Sequence, residues 1–91
     1  VPTDLKKAFA MFEVSAKSGD EFGELWMGWC YERGFGVEQD LEKALFWYLK
    51  AAERGLARSQ YYAGCLLIGG IACEKNEELG MMWIKKAALQ K

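Results

Sequence analysis

Leu41, Ala44, Leu45, Tyr48 and Ala52 fall at i, i+3, i+4, i+7 and i+11, a single apolar stripe at helical spacing. Lys43, Lys50, Glu53 and Arg54 lie largely off that stripe, so the segment is predicted to be a helix with one buried and one solvated face. Asp20 to Arg33 and Ala57 to Ile68 follow a different pattern, dense in aromatic and aliphatic residues. Each is followed by glycines that can end a helix in a left-handed conformation. Gly55 supplies the stop after the amphipathic segment.

These elements recur. Shifting the sequence by 36 positions aligns Asp4 with Asp40, Leu5 with Leu41, Ala8 with Ala44, Ala16 with Ala52 and Gly19 with Gly55, without a gap. The same shift aligns Gly28 with Gly64, Gly34 with Gly70, Trp47 with Trp83, and Lys50-Ala51-Ala52 with Lys86-Ala87-Ala88. Self-similarity at a fixed interval predicts a stack of one supersecondary unit. Each period holds an aromatic-rich helix, A, and an amphipathic helix, B, and the chain reads B, A, B, A, B. The B helices have expected N-caps at Asp4, Asp40 and Asn76, whose side-chain oxygens can accept from first-turn N–H groups. Gly28 and Gly64 sit in mid-helix, where each costs about 1 kcal/mol relative to Ala. The expected compensation is close approach to the small residues Ala44 and Gly80 of the following B helix, which makes each A–B pair an antiparallel hairpin.

Met27 to Gly55, MGWCYERGFGVEQDLEKALFWYLKAAERG, resembles the Sel-one-like repeat, a relative of the tetratricopeptide repeat. The second copy is looser, with Ala63, Leu67, Ala72 and Cys73 at pattern positions of the first, which leaves the course of the Gly69 to Lys75 loop open. The resemblance implies an all-α, right-handed α/α superhelical solenoid of antiparallel helix pairs. It divides the single domain, residues 1–91, into a partial repeat (1–19) and two repeats (20–55 and 56–91), and suggests a piece of a longer array. It also implies that A helices line the concave side and B helices the outer layer. Counted from Gly28 and Gly64, the inward positions are Phe22, Leu25, Trp29, Glu32 and Arg33 in one copy and Arg58, Tyr61, Cys65 and Ile68 in the other. The alternative for each is packing against a neighbouring A helix.

Charge and composition narrow the function. Lys and Arg number 12 against 13 Asp and Glu, a net charge of -1, without the basic excess that attraction to nucleic acid or anionic lipid requires. The longest apolar run, Tyr61 to Cys73, is broken by Gly64, Gly69 and Gly70 and falls short of the roughly 20 residues of a spanning helix. No targeting signal is read at the Val-Pro-Thr-Asp start, and three cysteines without a framework pattern mildly favour a reducing compartment. The chain has no histidine. Glu38 and Glu42, and Glu77 with Glu78, stand near B-helix starts, where carboxylates complement the helix dipole. Cys30 lacks a base to activate it and reads as a core residue, while Cys65 and Cys73 are expected to form neither a disulfide nor a zinc site. Trp47 and Trp83 read as packing residues. The expectation is therefore a protein–protein interaction scaffold without catalytic residues, cofactor or metal, binding a partner protein or peptide through its concave face. Self-association is the alternative, and a hydrolase-like enzyme the weaker one.

Overall fold

The computed structural model describes residues 2–70 and 74–90, and these form five helices: α1 (Pro2–Lys17), α2 (Glu21–Arg33), α3 (Leu41–Glu53), α4 (Ala57–Gly69) and α5 (Glu77–Leu89). No strand occurs among the described residues. The B helices are α1, α3 and α5; the A helices are α2 and α4. Asp40 caps α3 as its spacing predicts, its Oδ1 accepting from the N–H groups of Glu42 at 3.1 Å and Lys43 at 3.2 Å. Asn76 caps α5 by accepting from the N–H of Leu79 at 3.0 Å. The expectation for Asp4 is corrected: α1 begins at Pro2, so Asp4 lies inside the first turn, where its charge faces the helix N-terminus. A cap not anticipated from the sequence is Asp20 on α2, which accepts from the N–H of Phe22 and the hydroxyl of Ser15, and these bonds hold its carboxyl below the usual value. Gly34 and Gly70 end α2 and α4 at φ 70° and 65°, the left-handed conformation that a side chain resists. The residues of the Gly69 to Lys75 loop at 71–73 lie outside the described set.

Each helix packs on its neighbours in the chain, α1 on α2, α2 on α3, α3 on α4 and α4 on α5, giving an α/α solenoid of 39 × 25 × 18 Å. The core joins Leu25 of α2, Ala44, Leu45 and Tyr48 of α3, and Ala63, Leu66 and Leu67 of α4. Ala44, Leu45, Tyr48 and Ala52 are thus buried as their stripe predicts, with Leu41 packed at its edge. The two mid-helix glycines do mark close approaches, with one change of partner. A Cβ on Gly64 would lie 2.7 Å from the carbonyl oxygen of Gly80, as expected, and 2.6 Å from Ile84. A Cβ on Gly28 would lie 2.5 Å from the ring of Tyr48, so the tyrosine and not Ala44 fills the space that glycine leaves.

Polar residues close the same junction in both hairpins. Glu24, almost fully buried, accepts from Arg54 Nε at 2.8 Å. One period later, Gln60 accepts from Gln90 Nε2 at 2.8 Å and donates to the carbonyl of Ala52 at 3.2 Å. Arg54, read from its stripe position as merely solvated, is therefore half of an ion pair whose carboxylate is inside the protein.

Candidate functional site

The two A helices flank a cleft of about 250 Å³, lined by Leu25, Trp26 and Trp29 of α2 and by Arg58 and Tyr62 of α4. The α2 wall exists because Phe22, Leu25, Trp26 and Trp29 recur at i, i+3, i+4 and i+7, one face of the helix, with Leu25 at the edge where it joins the core. Aromatic contacts fix that wall. The Trp26 ring stacks on Phe12 of α1 at 5.7 Å and meets Trp29 edge-on at 5.8 Å, and Trp29 rests against Phe35 at 4.8 Å. On the α4 side, Tyr62 is held by the buried ring of Tyr48 at 5.3 Å. These contacts place the rings before any ligand arrives, which favours a smaller entropy loss on binding.

Two cations border the cleft. The Arg33 guanidinium sits 5.6 Å from the centre of the Trp29 ring, and exposed Arg58 lines the opposite wall. Glu32, the nearby carboxylate, is engaged by the Tyr48 hydroxyl, which donates to its Oε1 at 2.6 Å. Burial first, and then that bond, push the Tyr48 phenol well above its usual value, so the hydroxyl stays a donor. An aromatic surface bordered by two arginines suits a peptide with apolar anchors and acidic neighbours.

The structure separates the sequence-predicted positions into three groups. Leu25 and Trp29 line the cleft with Arg58, Arg33 covers Trp29, and Phe22 stands exposed one turn before Trp26. Tyr61 and Cys65 are exposed on another face of α4, where Tyr61, together with Arg58, borders a groove toward α5. Ile68 is occupied with hairpin packing, for a Cβ on Gly80 would lie 2.6 Å from its Cγ1, and Glu32 is occupied with Tyr48. Trp26 and Tyr62 were missed. Their signal was available, since they are aromatic residues in the same register, 36 positions apart.

Cys30 is fully buried, and burial pushes its thiol up to about 11, away from the thiolate a nucleophile needs. Among the described residues no group of three His, Cys, Asp or Glu side chains could hold a metal ion, and no helix is long and apolar enough to cross a membrane.

Known proteins share this repeat and this solenoid. The model of the Sel1 repeat matches residues 1–20, 22–56 and 57–91. A protective antigen present in uropathogenic Escherichia coli strains, displaying an SLR fold, superposes with a TM-score of 0.93 and 31% identity over 94% of this chain. A Sel1 repeat protein from Oxalobacter formigenes superposes with a TM-score of 0.88 and 34% identity over 91% of it. The chain spans 18% of the first of those proteins and 63% of the second. No curated protein matched the sequence. With the repeat matched along the chain and the same solenoid in both structures, the chain belongs to the Sel1 repeat family, whose members generally serve as protein–protein interaction modules.

Proposed function

We propose that this chain is an interaction module that receives a partner peptide or helix on its A-helix face, with the α2–α4 cleft as the anchor site. The observation that carries this reading is a cleft built of Trp26, Trp29, Tyr62 and Arg58, the side-chain types that dominate binding energy at interfaces. These rings are held by neighbouring rings, yet Trp26 remains 36% exposed and Phe22, on the same face, 54% exposed. Aliphatic or aromatic side chains of the partner enter the cleft, and its carboxylates meet Arg33 and Arg58. Exposed residues of the B helices, such as Glu53, stand outside this surface.

The test begins with selection of binding peptides from a random library on the intact chain. Trp29→Ala is expected to weaken a selected peptide about thirty-fold, the equivalent of a hot spot of about 2 kcal/mol. Arg58→Ala is expected to weaken acidic peptides more than neutral ones, and Glu53→Ala to change neither. A Trp29→Ala chain that keeps its helicity and its full affinity removes the cleft from the account.

A further inference from the structure

The outer layer of the solenoid carries one surface pattern twice. On α3, Glu42, Phe46 and Lys50 follow one another at four-residue spacing, and the 36-residue shift places Glu78, Met82 and Lys86 at the same positions on α5. All six residues are exposed. Equivalent residues of the two B helices thus form three rows across the face: carboxylates in the first turns, an apolar row in the middle and lysines in the last turns. Phe46 is 53% exposed and Met82 41%. Phe46 stands in the middle of the chain, on a helix with α2 and α4 both packed against it, so its exposure belongs to the outer layer and not to either end of the stack. The lysines lie close against the apolar row. Lys50 Nζ is 5.5 Å from the centre of the Phe46 ring and 5.9 Å from that of Trp47, and Lys86 Nζ is 5.2 Å from that of Trp83. Among the described residues, none of these carboxylates and lysines is in an ion pair.

We propose that this face of α3 and α5 binds a second copy of the chain, the two copies related by a two-fold axis that runs across the helices along the apolar row. Charge complementarity selects that occupant. The axis lays each B helix antiparallel on its equivalent, so that Glu42 meets Lys50 of the second copy, Glu78 meets Lys86 of the second copy, and the apolar rows meet each other. A two-fold axis along the helices would instead set carboxylate on carboxylate and lysine on lysine. Nucleic acid or an anionic lipid surface asks for one sign of charge, and this face offers both. With a net charge of -1, two copies repel each other little at long range. Exposed ion pairs contribute little, so the apolar row supplies the affinity and the charged rows set the orientation. On α1 the same positions hold Lys6, Ala10 and Val14, which breaks the pattern and confines the contact to α3 and α5. Such a face is smaller than the roughly 20–30 residues a side of a standard interface, so the dimer is weak and reversible.

Sedimentation equilibrium of the intact chain from about 10 μM to about 1 mM covers the dissociation constants of weak pairs. A monomer–dimer equilibrium is expected, with the indole N–H signals of Trp47 and Trp83 moving on dilution while those of Trp26 and Trp29 stay in place. Phe46→Glu is expected to weaken the dimer about ten-fold or more by placing a charge in the apolar row. The same variant should keep peptide affinity at the α2–α4 cleft within about two-fold, so that failure of the dimer and failure of the cleft can be told apart. Charge reversal gives a second test. Lys50→Glu with Lys86→Glu, and Glu42→Lys with Glu78→Lys, each set like charges across the two-fold axis and are expected to be monomeric alone. An equimolar mixture of these two variants is expected to form a heterodimer, and that rescue shows that both are folded. A wild-type chain that stays monomeric at the highest concentration overturns the proposal. So does a dimer that survives Phe46→Glu, or one that each charge variant forms alone as tightly as the wild type. A monomer that binds phosphatidylserine vesicles and loses them with Phe46→Glu overturns the second copy in favour of a lipid surface.

Discussion

The hairpins α2–α3 and α4–α5 fill the same structural positions with different residues. At the centre of the first lies Tyr48, without exposed surface; its counterpart Ile84 is only half-buried. The polar junction is an ion pair, Glu24 with Arg54, in the first hairpin and an amide pair, Gln60 with Gln90, in the second. Gly28 makes room for a ring, whereas Gly64 and Gly80 make room for each other's backbone. The difference shows that burial in this fold is conferred by the next layer and not by the residue alone. Tyr48 is covered because α4 lies over it; Ile84 has no such cover among the described residues.

The sharpest way to break the comparison is to fill the glycine positions. Gly28→Leu is expected to lower stability by about 3 kcal/mol, the upper part of the range for overpacking, because the Tyr48 ring it meets is buried on all sides. Gly64→Leu meets the half-buried Ile84 and the Gly80 carbonyl, and because Ile84 is less enclosed than Tyr48, its midpoint in urea should fall less. Equal midpoints for the two variants would show that the two hairpins are equally constrained.

The polar junctions come next. Arg54→Ala leaves the buried Glu24 carboxylate without its cation, whereas Gln90→Ala leaves Gln60 its bond to Ala52. The melting temperature is therefore expected to fall more for Arg54→Ala than for Gln90→Ala. The reverse order would mean that Glu24 finds another partner or water.

A smaller effect is expected from Tyr48→Phe, which removes the donor to Glu32 at a cost of about 1.5 kcal/mol. It also has a pH signature. The phenol of Tyr48 in the folded chain titrates above its usual value of 10.0, so its contribution is complete below pH 10 and declines as the pH rises further. Denaturant titrations of the wild type should lose stability above that pH more steeply than those of Tyr48→Phe. The smallest perturbation is alkylation of the native chain: Cys65, exposed, should react readily, and Cys30 only after unfolding.

The helices, their order and their glycine stops were legible because an offset of 36 exposes them as repeated small and apolar positions. The start of α1 was not, since Asp4 shares its register with the true cap Asp40 while its helix extends further toward the N-terminus. Of the positions expected to face inward, Leu25, Trp29 and Arg58 line the α2–α4 cleft, whereas Tyr61 lines the groove toward α5 and its neighbour Tyr62 lines the cleft. A shift of one residue turns a helical side chain by about 100°, enough to exchange the cleft for the groove toward α5. The roles of Glu24 and Arg54 were hidden for another reason. They lie 30 positions apart, and no local pattern marks an ion pair formed across a hairpin.

The interaction-module account is tested most directly by the indole N–H resonances of the four tryptophans while a selected peptide is titrated into the intact chain. Trp26 and Trp29 line the α2–α4 cleft; Trp47 and Trp83 lie on the B helices, beside Lys50 and Lys86. The account predicts that the indole signals of Trp26 and Trp29 shift and saturate together while those of Trp47 and Trp83 stay in place. Movement of the Trp47 and Trp83 signals, with Trp26 and Trp29 unchanged, would contradict it and place recognition on the B-helix face.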